Sequence, residues 1–331
     1  MGRGQLMSDQ PFASAREIAF ASRAPFAGVP ARTLNDLAGA GVVVLGAPFD
    51  WGTSFRAGAR FAPKAIREAD YLPFDGRRPH LPTGIDPLSR LGVVDIGDVE
   101  LVPGYTEESL RRIEAAVTAV AGSGAVPVVL GGDHTITFPN ATGVARVHGF
   151  GEVALLHFDA HADTGDSHFG ALHGHGTPMR RLIESGAVPG RRFCQIGLRG
   201  YWPPPEVVGW MREQGIRSFF MSEIVERGLS AVLDEAIERS AADAKGVFVS
   251  VDIDVVDPGM APGTGTPEPG GLTSRELLDA VRRLGRELLV LGADVVEVAP
   301  PYDGPGEITA FLANRVVLEL LNGIAQRRLA V

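Results

Sequence analysis

The sequence contains very little cysteine: a chain of 331 residues has one, Cys194. A single cysteine excludes both an intramolecular disulfide framework and a zinc site built from several thiolates. It fits a protein that works in the reducing cytoplasm, where disulfides are rare.

Positive charge and long apolar runs are also scarce. The formal net charge of −9 argues against a protein that binds nucleic acid by neutralising its phosphates. The longest apolar runs, such as residues 42–45, have the length of a strand and are too short to span a bilayer. Residues 1–30 hold no sustained apolar core of the kind that a secretory signal needs. We therefore expect no nucleic acid and no membrane among the partners.

The pattern of apolar residues predicts an α/β fold. Apolar residues make up 45% of the chain and charged residues 21%, which is ordinary for a globular protein with a sizeable core. Near-continuous apolar strands alternate with amphipathic helices, and this pattern indicates a parallel sheet covered on both faces. The predicted strands are residues 41–45, 92–95, 126–130, 153–158, 193–197, 247–251 and 289–298. The predicted helices are residues 106–121, 178–185, 206–214, 229–239, 274–284 and 308–325.

No repeat, low-complexity tract or convincing linker divides the sequence. We therefore predict one domain over residues 36–331, preceded by an arm over residues 1–35 that drapes over the domain or over a neighbouring subunit. Ser274 is the expected N-cap of the helix at 274–284, since an acidic residue follows in the first turn.

Metal-type ligands follow three of the predicted strands. In open α/β sheets, ligands bind at the carboxyl ends of the strands. The residues after the strands at 126–130, 153–158 and 247–251 are rich in carboxylates and imidazoles: His134; Asp159, His161 and Asp163; Asp252 and Asp254. Because side chains alternate faces along an extended chain, residues two apart in these groups are expected to point the same way. Ligands from three neighbouring strand ends can surround two divalent ions about 3.5–4 Å apart.

Each group has a simpler interpretation on its own. An isolated Asp-x-His is more often a helix cap beside a surface histidine, and a histidine after two glycines usually belongs to a turn. Three such groups at three strand ends favour a dinuclear metal site over independent accidents.

The motifs that carry these residues resemble those of the ureohydrolase family, which includes arginases, agmatinases and guanidino-acid hydrolases. They are GGDH at 131–134, DAHAD at 159–163, SVDIDVVDPGMAPGTGTPEPGG at 250–271, GAPFD at 46–50 and EVAPPYD at 297–303. The similarity runs from about residue 40 to the C-terminus and is closest to bacterial agmatinases and guanidino-acid hydrolases. It implies an arginase-like, three-layer α/β/α sandwich around a parallel β-sheet.

The resemblance implies which residues bind the two metals. The matching residues are His134, Asp159, Asp163 and Asp252 for one metal, and Asp159, His161, Asp252 and Asp254 for the other. The implied cofactor is two Mn²⁺ per subunit. A site of carboxylates and imidazoles without a thiolate is hard and oxygen-rich, which agrees with manganese and leaves Ni²⁺ and Co²⁺ open.

The implied activity is hydrolysis of a guanidinium group to urea and an amine. Coordination by two metals can bring the pKa of a bridging water to about 7, and the resemblance places Asp163 to accept a hydrogen bond from the resulting hydroxide. A histidine then protonates the leaving amine; the family motif matches His175, with His173 as the alternative. Glu297 matches the carboxylate that pairs with the guanidinium head. Thr266 matches a position that contacts the head, and His175 is also expected to contact the substrate.

Other polar residues are expected to have supporting roles. His157 is predicted to be a satisfied core group and His168 an exposed loop residue. Asp257 and Asp303 are expected to hold loops through backbone N–H groups, and Asp133 to orient a ligand.

The residues that follow the Asp-rich motif bear on which substrate tail the site accepts. Arginases follow their Asp-rich motif with Asn and Ser groups that hold the amino-acid carboxylate, whereas this chain has TGDSHFGALHGHGTP at 164–178, so L-arginine is disfavoured. Agmatine, which gives putrescine in polyamine metabolism, is the first expectation, and guanidinobutyrate or guanidinopropionate is the alternative. Asp166 at the pocket mouth would favour an amine tail, whereas Arg180, Arg181 or Arg199 there would favour an acid.

Two stretches depart from the family pattern, GARFAP at 58–63 and GYWPPPE at 200–206, and the second could narrow the entrance. Other classes fit less well: a one-zinc deacetylase uses fewer ligands, a dinuclear phosphoesterase needs motifs in another order, and a non-catalytic metal-storing homologue would not need Glu297. The resemblance also implies a homotrimer or homohexamer.

Overall fold

Eight strands form one parallel sheet in the part of the chain that the computed structural model describes, residues 24–330. The strands are β1 (Val42–Gly46), β2 (Val93–Asp98), β3 (Val126–Leu130), β4 (Val153–Phe158), β5 (Phe193–Leu198), β6 (Arg217–Phe220), β7 (Gly246–Asp252) and β8 (Val290–Val296). Their order across the sheet is β2-β1-β3-β8-β7-β4-β5-β6.

The helices cover both faces of this sheet. They are α1 (Ala62–Glu68), α2 (Pro87–Leu91), α3 (Thr106–Gly122), α4 (Thr137–His148), α5 (Pro178–Glu184), α6 (Pro205–Glu213), α7 (Met221–Arg227), α8 (Leu229–Ala241), α9 (Ser274–Glu287) and α10 (Ile308–Ala330). The three-layer α/β/α sandwich that the sequence predicted is confirmed.

Strand alternation explains the two layers of core. In β1, Val42 and Val44 pack in the core that includes α1, α2 and α7–α10. Val43 and Leu45 face the opposite core, with α3–α6. Both faces are therefore apolar, and β1 is buried at every position, as a parallel strand between two helical layers must be.

Some elements escaped the prediction. No strand was predicted at β6, and no helix was predicted at α1, α2, α4 or α7. Strand β6 has four residues at the edge of the sheet, and α4 contains Pro139 and Gly143, which lower helix propensity. The predicted N-cap Ser274 was wrong by one residue: Thr273 caps α9 in a capping box with Glu276, because its hydroxyl reaches the Glu276 N–H while the glutamate carboxylate accepts from the Thr273 N–H.

No membrane-spanning segment was expected from the sequence, but helix α10 is long and apolar. Among residues 24–330 it alone has the length and composition of a membrane-spanning helix, yet 72% of its most apolar window is buried inside the protein. It packs closely on α9, where a Cβ at Gly323 would lie 2.2 Å from the Arg282 carbonyl oxygen. This burial is that of a core helix.

The predicted arm, residues 1–35, is described from residue 24 onwards. Phe26 is fully buried in the core, and its N–H donates to Asp95 Oδ2 at 2.7 Å. The described part of the arm therefore packs into the domain, while residues 1–23 lie outside the described residues. The division of the chain at residue 36 stays a prediction.

Asp303 accepts from backbone N–H groups, as the sequence predicted, but these belong to the first turn of α10 rather than to a loop. Its two carboxylate oxygens accept from Thr309 N at 2.8 Å and Ala310 N at 2.9 Å. We expect Asp303→Ala to lower the free energy of unfolding by about 1–2 kcal/mol, the usual cost of losing a helix cap. Asp279→Ala is the control, because Asp279 is an exposed residue paired with Arg282 and should cost less than about 0.5 kcal/mol. Equal losses in urea denaturation would show that Asp303 does not stabilise this helix.

Candidate metal centre and active site

The candidate site lies at the carboxyl ends of the four middle strands, β3, β8, β7 and β4. His134 follows β3, Asp159 follows β4, Asp252 ends β7 and Glu297 follows β8. The sequence predicted three neighbouring strand ends. In the structure β8 separates β3 from β7 and adds Glu297 between the metal-type groups.

Tight turns, rather than the predicted extended chain, bring these side chains together. Asp252 accepts from Asp254 N at 2.8 Å and begins a 3-10 turn at Ile253–Val255. Asp163 has a left-handed backbone, with φ of 52°, a conformation that few non-glycine residues adopt. After β3, Gly132 leaves room for the chain, since a Cβ there would lie 1.8 Å from the Phe49 carbonyl oxygen. The prediction that alternation along extended chain aligns the ligands was therefore wrong for these residues.

The first ligand group is centred on His134. Its Nδ1 lies 3.1 Å from Asp159 Oδ2, 3.0 Å from Asp163 Oδ2 and 3.0 Å from Asp252 Oδ2. All four side chains are buried. These are the four residues predicted to bind one metal.

The second ligand group is centred on His161. Its Nδ1 lies 3.0 Å from Asp254 Oδ2 and 3.5 Å from Asp159 Oδ1. Asp252 is connected to this group through its bond from Asp254 N. Asp159 therefore faces both groups, as a shared ligand would.

The buried carboxylates of this cluster repel one another strongly. Burial, together with Asp254 and Asp159, raises the pKa of the Asp252 carboxyl well above its ordinary value. Burial and Asp159 likewise raise the pKa of Asp254. For His134, burial alone would lower the pKa, but hydrogen bonds to the surrounding carboxylates raise it well above the ordinary value. The cluster is therefore an electrostatic environment that a cation would stabilise.

A pocket of about 340 Å³ opens above the two groups. Its lining includes His161, Asp163 and Asp252 from the metal-type ligands, and Ser54, His175 and Thr266 from the surrounding loops. The structure thus brings three of the six predicted ligands, the predicted histidine and Thr266 to one cavity.

His175 and Glu297 form a buried pair at this pocket. His175 Nδ1 lies 3.0 Å from Glu297 Oε1, which also accepts from His134 N at 2.8 Å. Glu297 Oε2 is buried and has no hydrogen-bond partner in the described structure. Burial alone would lower the pKa of His175, but the Glu297 carboxylate outweighs it and raises this pKa to about 9. Burial alone would raise the pKa of Glu297, but His175 and the bonds to Oε1 bring it below its ordinary value.

Comparison with known proteins places this geometry in a family. A model described as "Arginase family" matches residues 40–322. Guanidinopropionase of Pseudomonas aeruginosa is 42% identical over 318 residues, which cover 96% of this chain and 96% of that protein. The chain belongs to the arginase family. Mitochondrial agmatinase of Gallus gallus is 41% identical over 279 residues, 84% of this chain and 79% of the relative.

Solved structures agree with this assignment. Proclavaminate amidino hydrolase from Streptomyces clavuligerus matches with a TM-score of 0.85 and 37% identity, covering 93% of this chain and 99% of that one. Trypanosoma cruzi formiminoglutamase with Mn²⁺ matches with a TM-score of 0.78 and 26% identity, covering 87% of this chain and 94% of that one. The resemblance seen in the motifs is confirmed, and this arginase-family chain is an amidinohydrolase.

The side chains of the arginase-family site fit a pair of divalent cations. Two sets of donor atoms, each within 4.8 Å of one another, are offered by His134, His157, Asp159 and Asp163, and by Asp159, His161 and Asp254. The donors are oxygen and nitrogen, and the single thiol, Cys194, is buried in β5. Such a donor set suits hard or borderline metals. The crowded carboxylates described above supply the negative charge that two cations need.

The histidines near the pocket divide into three kinds. His175 lines the pocket, and His173 instead stacks on Phe138 with ring centroids 5.7 Å apart. His168 was predicted to be an exposed loop residue, and this was wrong: it is half-buried, lines the pocket and contacts the His175 ring edge-on at 5.3 Å. The turn formed by His168 and Ala171 folds the loop back over the site.

The charged residues that were expected to select the substrate tail do not line the pocket. Asp166 is exposed and lies 3.3 Å from Arg180 Nη2 and 3.7 Å from Arg181 Nη2. Arg199 donates to the carbonyl oxygens of Asp254 and Glu268 at 2.7 and 2.6 Å. The pocket mouth instead contains His168, Phe169 and Trp202, so the 200–206 loop does reach the entrance.

Sequence reasoning gave no role to three polar residues at the site. Ser54, in the loop after β1, lies 2.7 Å from His175 Nε2. Ser250 Oγ lies 3.0 Å from His134 Nε2, and Gln195 Nε2 lies 3.1 Å from His157 Nδ1. His157 in turn contacts Asp159 Oδ2 at 2.7 Å. Ser54 follows the carboxyl end of a strand, which is the signal that could have identified it.

Proposed function

We propose that this protein hydrolyses a small guanidino compound to urea and an amine, with two Mn²⁺ ions bound by His134, Asp159, His161, Asp163, Asp252 and Asp254. The observation that carries the proposal is a cluster of these six ligands, all buried except the half-buried His161, beside a pocket lined by His175, whose ring is paired with a buried Glu297 that has one unpartnered oxygen. When bound, the metal pair supplies the positive charge that activates a water molecule as the nucleophile.

Glu297 binds the guanidinium head in this proposal. Its Oε1 is fixed by His134 N and His175 Nδ1, so Oε2 is the oxygen free to accept from the substrate. A planar, charged head suits a carboxylate because several N–H groups point towards it in a fixed geometry. Glu297 is buried, and burial away from water makes such a charge-assisted bond stronger.

Asp163, His175 and Thr266 complete the site. Asp163 lies on the pocket wall next to His134, and in this proposal it accepts a hydrogen bond from the nucleophile. His175 has a raised pKa and so can carry the proton that the leaving amine requires. Thr266 contributes a hydroxyl to the lining near the substrate head.

A guanidino acid is the substrate class that the pocket favours. Asp166, the residue expected to hold an ammonium tail, is turned towards Arg180 and Arg181. The described pocket lining holds no carboxylate besides Asp163 and Asp252, and it does hold His168, a potential hydrogen-bond donor to a carboxylate. The similarity to guanidinopropionase over almost the whole chain supports this choice. Agmatine is the second candidate, because Trp202 and Phe169 at the mouth can hold an ammonium group over their rings.

Urea release from a substrate panel tests the proposal. With Mn²⁺ bound, we expect kcat/KM for 3-guanidinopropionate or 4-guanidinobutyrate to exceed that for agmatine at least about tenfold, which corresponds to about 1.4 kcal/mol. L-arginine should be poorer than either. Asp166→Asn is the control and should leave the ratio of acid to agmatine unchanged. A tenfold preference for agmatine would reverse the order of substrates, and no urea from any guanidine by metal-loaded protein would contradict the activity itself.

The cytoplasmic location and the homotrimer or homohexamer stay predictions. The same holds for the absence of nucleic acid and membrane among the partners.

A further inference from the structure

Ser54 is in direct contact with the ring of His175. Ser54 Oγ lies 2.7 Å from His175 Nε2, and the Ser54 backbone N–H donates to the same ring nitrogen at 3.2 Å. The other ring nitrogen, Nδ1, is occupied by Glu297. Both nitrogens of His175 are therefore engaged by protein groups, and only one of these groups, the Ser54 hydroxyl, can both donate and accept a proton.

The loop that carries Ser54 is anchored at several points. Asp133 Oδ2 accepts from Gly52 N at 2.8 Å, and His175 N donates to Gly52 O at 3.1 Å. A Cβ at Gly52 would lie 2.1 Å from Thr135 Oγ1 and 3.1 Å from His175 N, so glycine is what allows the loop to approach the histidine. Further along, Asp50 accepts from Gly58 N at 2.9 Å and closes the loop. The Ser54–His175 contact is thus built into the fold.

The side chains of His175 and Ser54 differ in their exposure to solvent. His175 is 8% exposed, whereas Ser54 is exposed and lines the substrate pocket. A leaving amine in the pocket can therefore meet the serine hydroxyl more easily than the occupied Nε2 of the buried ring.

We infer that Ser54 passes a proton from His175 to the leaving amine, an inference that rests on the proposed function. His175 Nε2 accepts from Ser54 N–H in the resting structure, so it first takes up the proton that the attacking water loses. The Ser54 Oγ–H bond then breaks as a new N–H bond forms on the amine, and the proton on Nε2 moves to Oγ. Ser54 is regenerated, and His175 ends neutral. The transferred proton comes from the attacking water, so the hydrolysis needs no other co-reactant.

Two variants of the same shape separate the hydroxyl from its volume. Ser54→Thr keeps the hydroxyl, whereas Ser54→Val replaces it by a methyl group. On an alkylguanidine substrate that the wild-type enzyme hydrolyses, we expect Ser54→Val to lower kcat about 10- to 100-fold, the range at the lower end of acid–base catalysis. We expect KM to change less than about threefold, and Ser54→Thr to stay within about threefold of wild type, because proton transfer acts on the chemical step.

A substrate with a less basic leaving group distinguishes proton delivery from simple positioning. An alkoxyguanidine releases an O-alkylhydroxylamine, which needs less protonation to leave than an alkylamine does. The defect of Ser54→Val should therefore shrink to less than about threefold on the alkoxyguanidine. Metal content and melting temperature, measured on the same samples, should match those of the wild type. Ser54→Ala takes the place of Ser54→Val if the valine variant melts at a lower temperature.

Each outcome decides the matter. Wild-type kcat in Ser54→Val, or an equal loss on both kinds of guanidine, would overturn the relay while leaving the proposed function standing. No urea from the wild-type enzyme on any guanidine would overturn the proposed function and the relay with it.

Discussion

Replacing Asp252 by asparagine is expected to reduce kcat/KM at least about 1000-fold, since several kcal/mol of metal-derived charge stabilisation would be lost. Asp252 Oδ2 lies 3.0 Å from His134 Nδ1, and its Oδ1 accepts from Asp254 N at 2.8 Å. One carboxylate therefore contacts the histidine of the first ligand group and the backbone of the second. Asparagine keeps the shape but offers a neutral oxygen, so both metals should be held more weakly.

Metal content and thermal unfolding measure this change separately from activity. Elemental analysis should find less than two metal ions per chain in Asp252→Asn, and added Mn²⁺ should no longer raise its melting temperature as it does for the wild type. Without metal, the variant should be at least as stable as the wild type, because burial and the neighbouring carboxylates already oppose ionisation of Asp252. Asp257→Asn is the matched control: Asp257 holds its loop through Gly259 N and Gly270 N, each at 2.8 Å. Two tightly bound metals in Asp252→Asn would remove Asp252 from the ligand set.

Replacing Glu297 by glutamine is expected to lower kcat/KM about 100- to 1000-fold while metal content stays at the wild-type level. The loss corresponds to about 3–4 kcal/mol, within the range for removing one partner of a buried charge pair. The amide oxygen of glutamine can still accept from His134 N and His175 Nδ1, so the fold should persist. The amide that replaces Oε2 carries no charge and cannot pair with the guanidinium.

Glu297→Gln and Asp252→Asn are expected to respond differently to added Mn²⁺. Glu297→Gln should keep the rise in melting temperature on adding Mn²⁺, because Glu297 is not among the ligand groups. Glu297→Gln should also lower the pKa of His175 relative to the wild type, since the Glu297 carboxylate is the group that raises this pKa to about 9. The activity should therefore decline at lower pH on the alkaline side than in the wild type. An unchanged kcat/KM would exclude Glu297 from substrate binding, and a loss of metal would make it a ligand.

The sequence could predict that the metal-type residues lie together because each group is local. Asp159, His161 and Asp163 lie within five positions directly after a buried strand, and the carboxyl ends of parallel strands share one edge of the sheet. The order of the strands is not local. Only the three-dimensional structure shows that β8 runs between β3 and β7 and so brings Glu297 against His134.

Contacts between loops that are far apart in the sequence could not be predicted, for the same reason. Ser54 and His175 are 121 positions apart, and no periodicity links them. The charges expected at the pocket mouth were misplaced because Asp166 has two arginine partners nearby on α5, which a list of charged residues does not reveal. Short or irregular elements, such as β6 at the sheet edge and α4 with its proline, are set by tertiary packing more than by their own propensity.

The position of the ligands has a consequence for a chain with a single cysteine. His134 and Asp252 are separated by 118 positions and meet at one point. Cations held there would act as cross-links between the middle strands, a part that disulfides play in other proteins by closing long loops of the unfolded chain. Loading with metal and tightening of the fold would then be a single event, and the robustness of the protein would follow the supply of the ion around it.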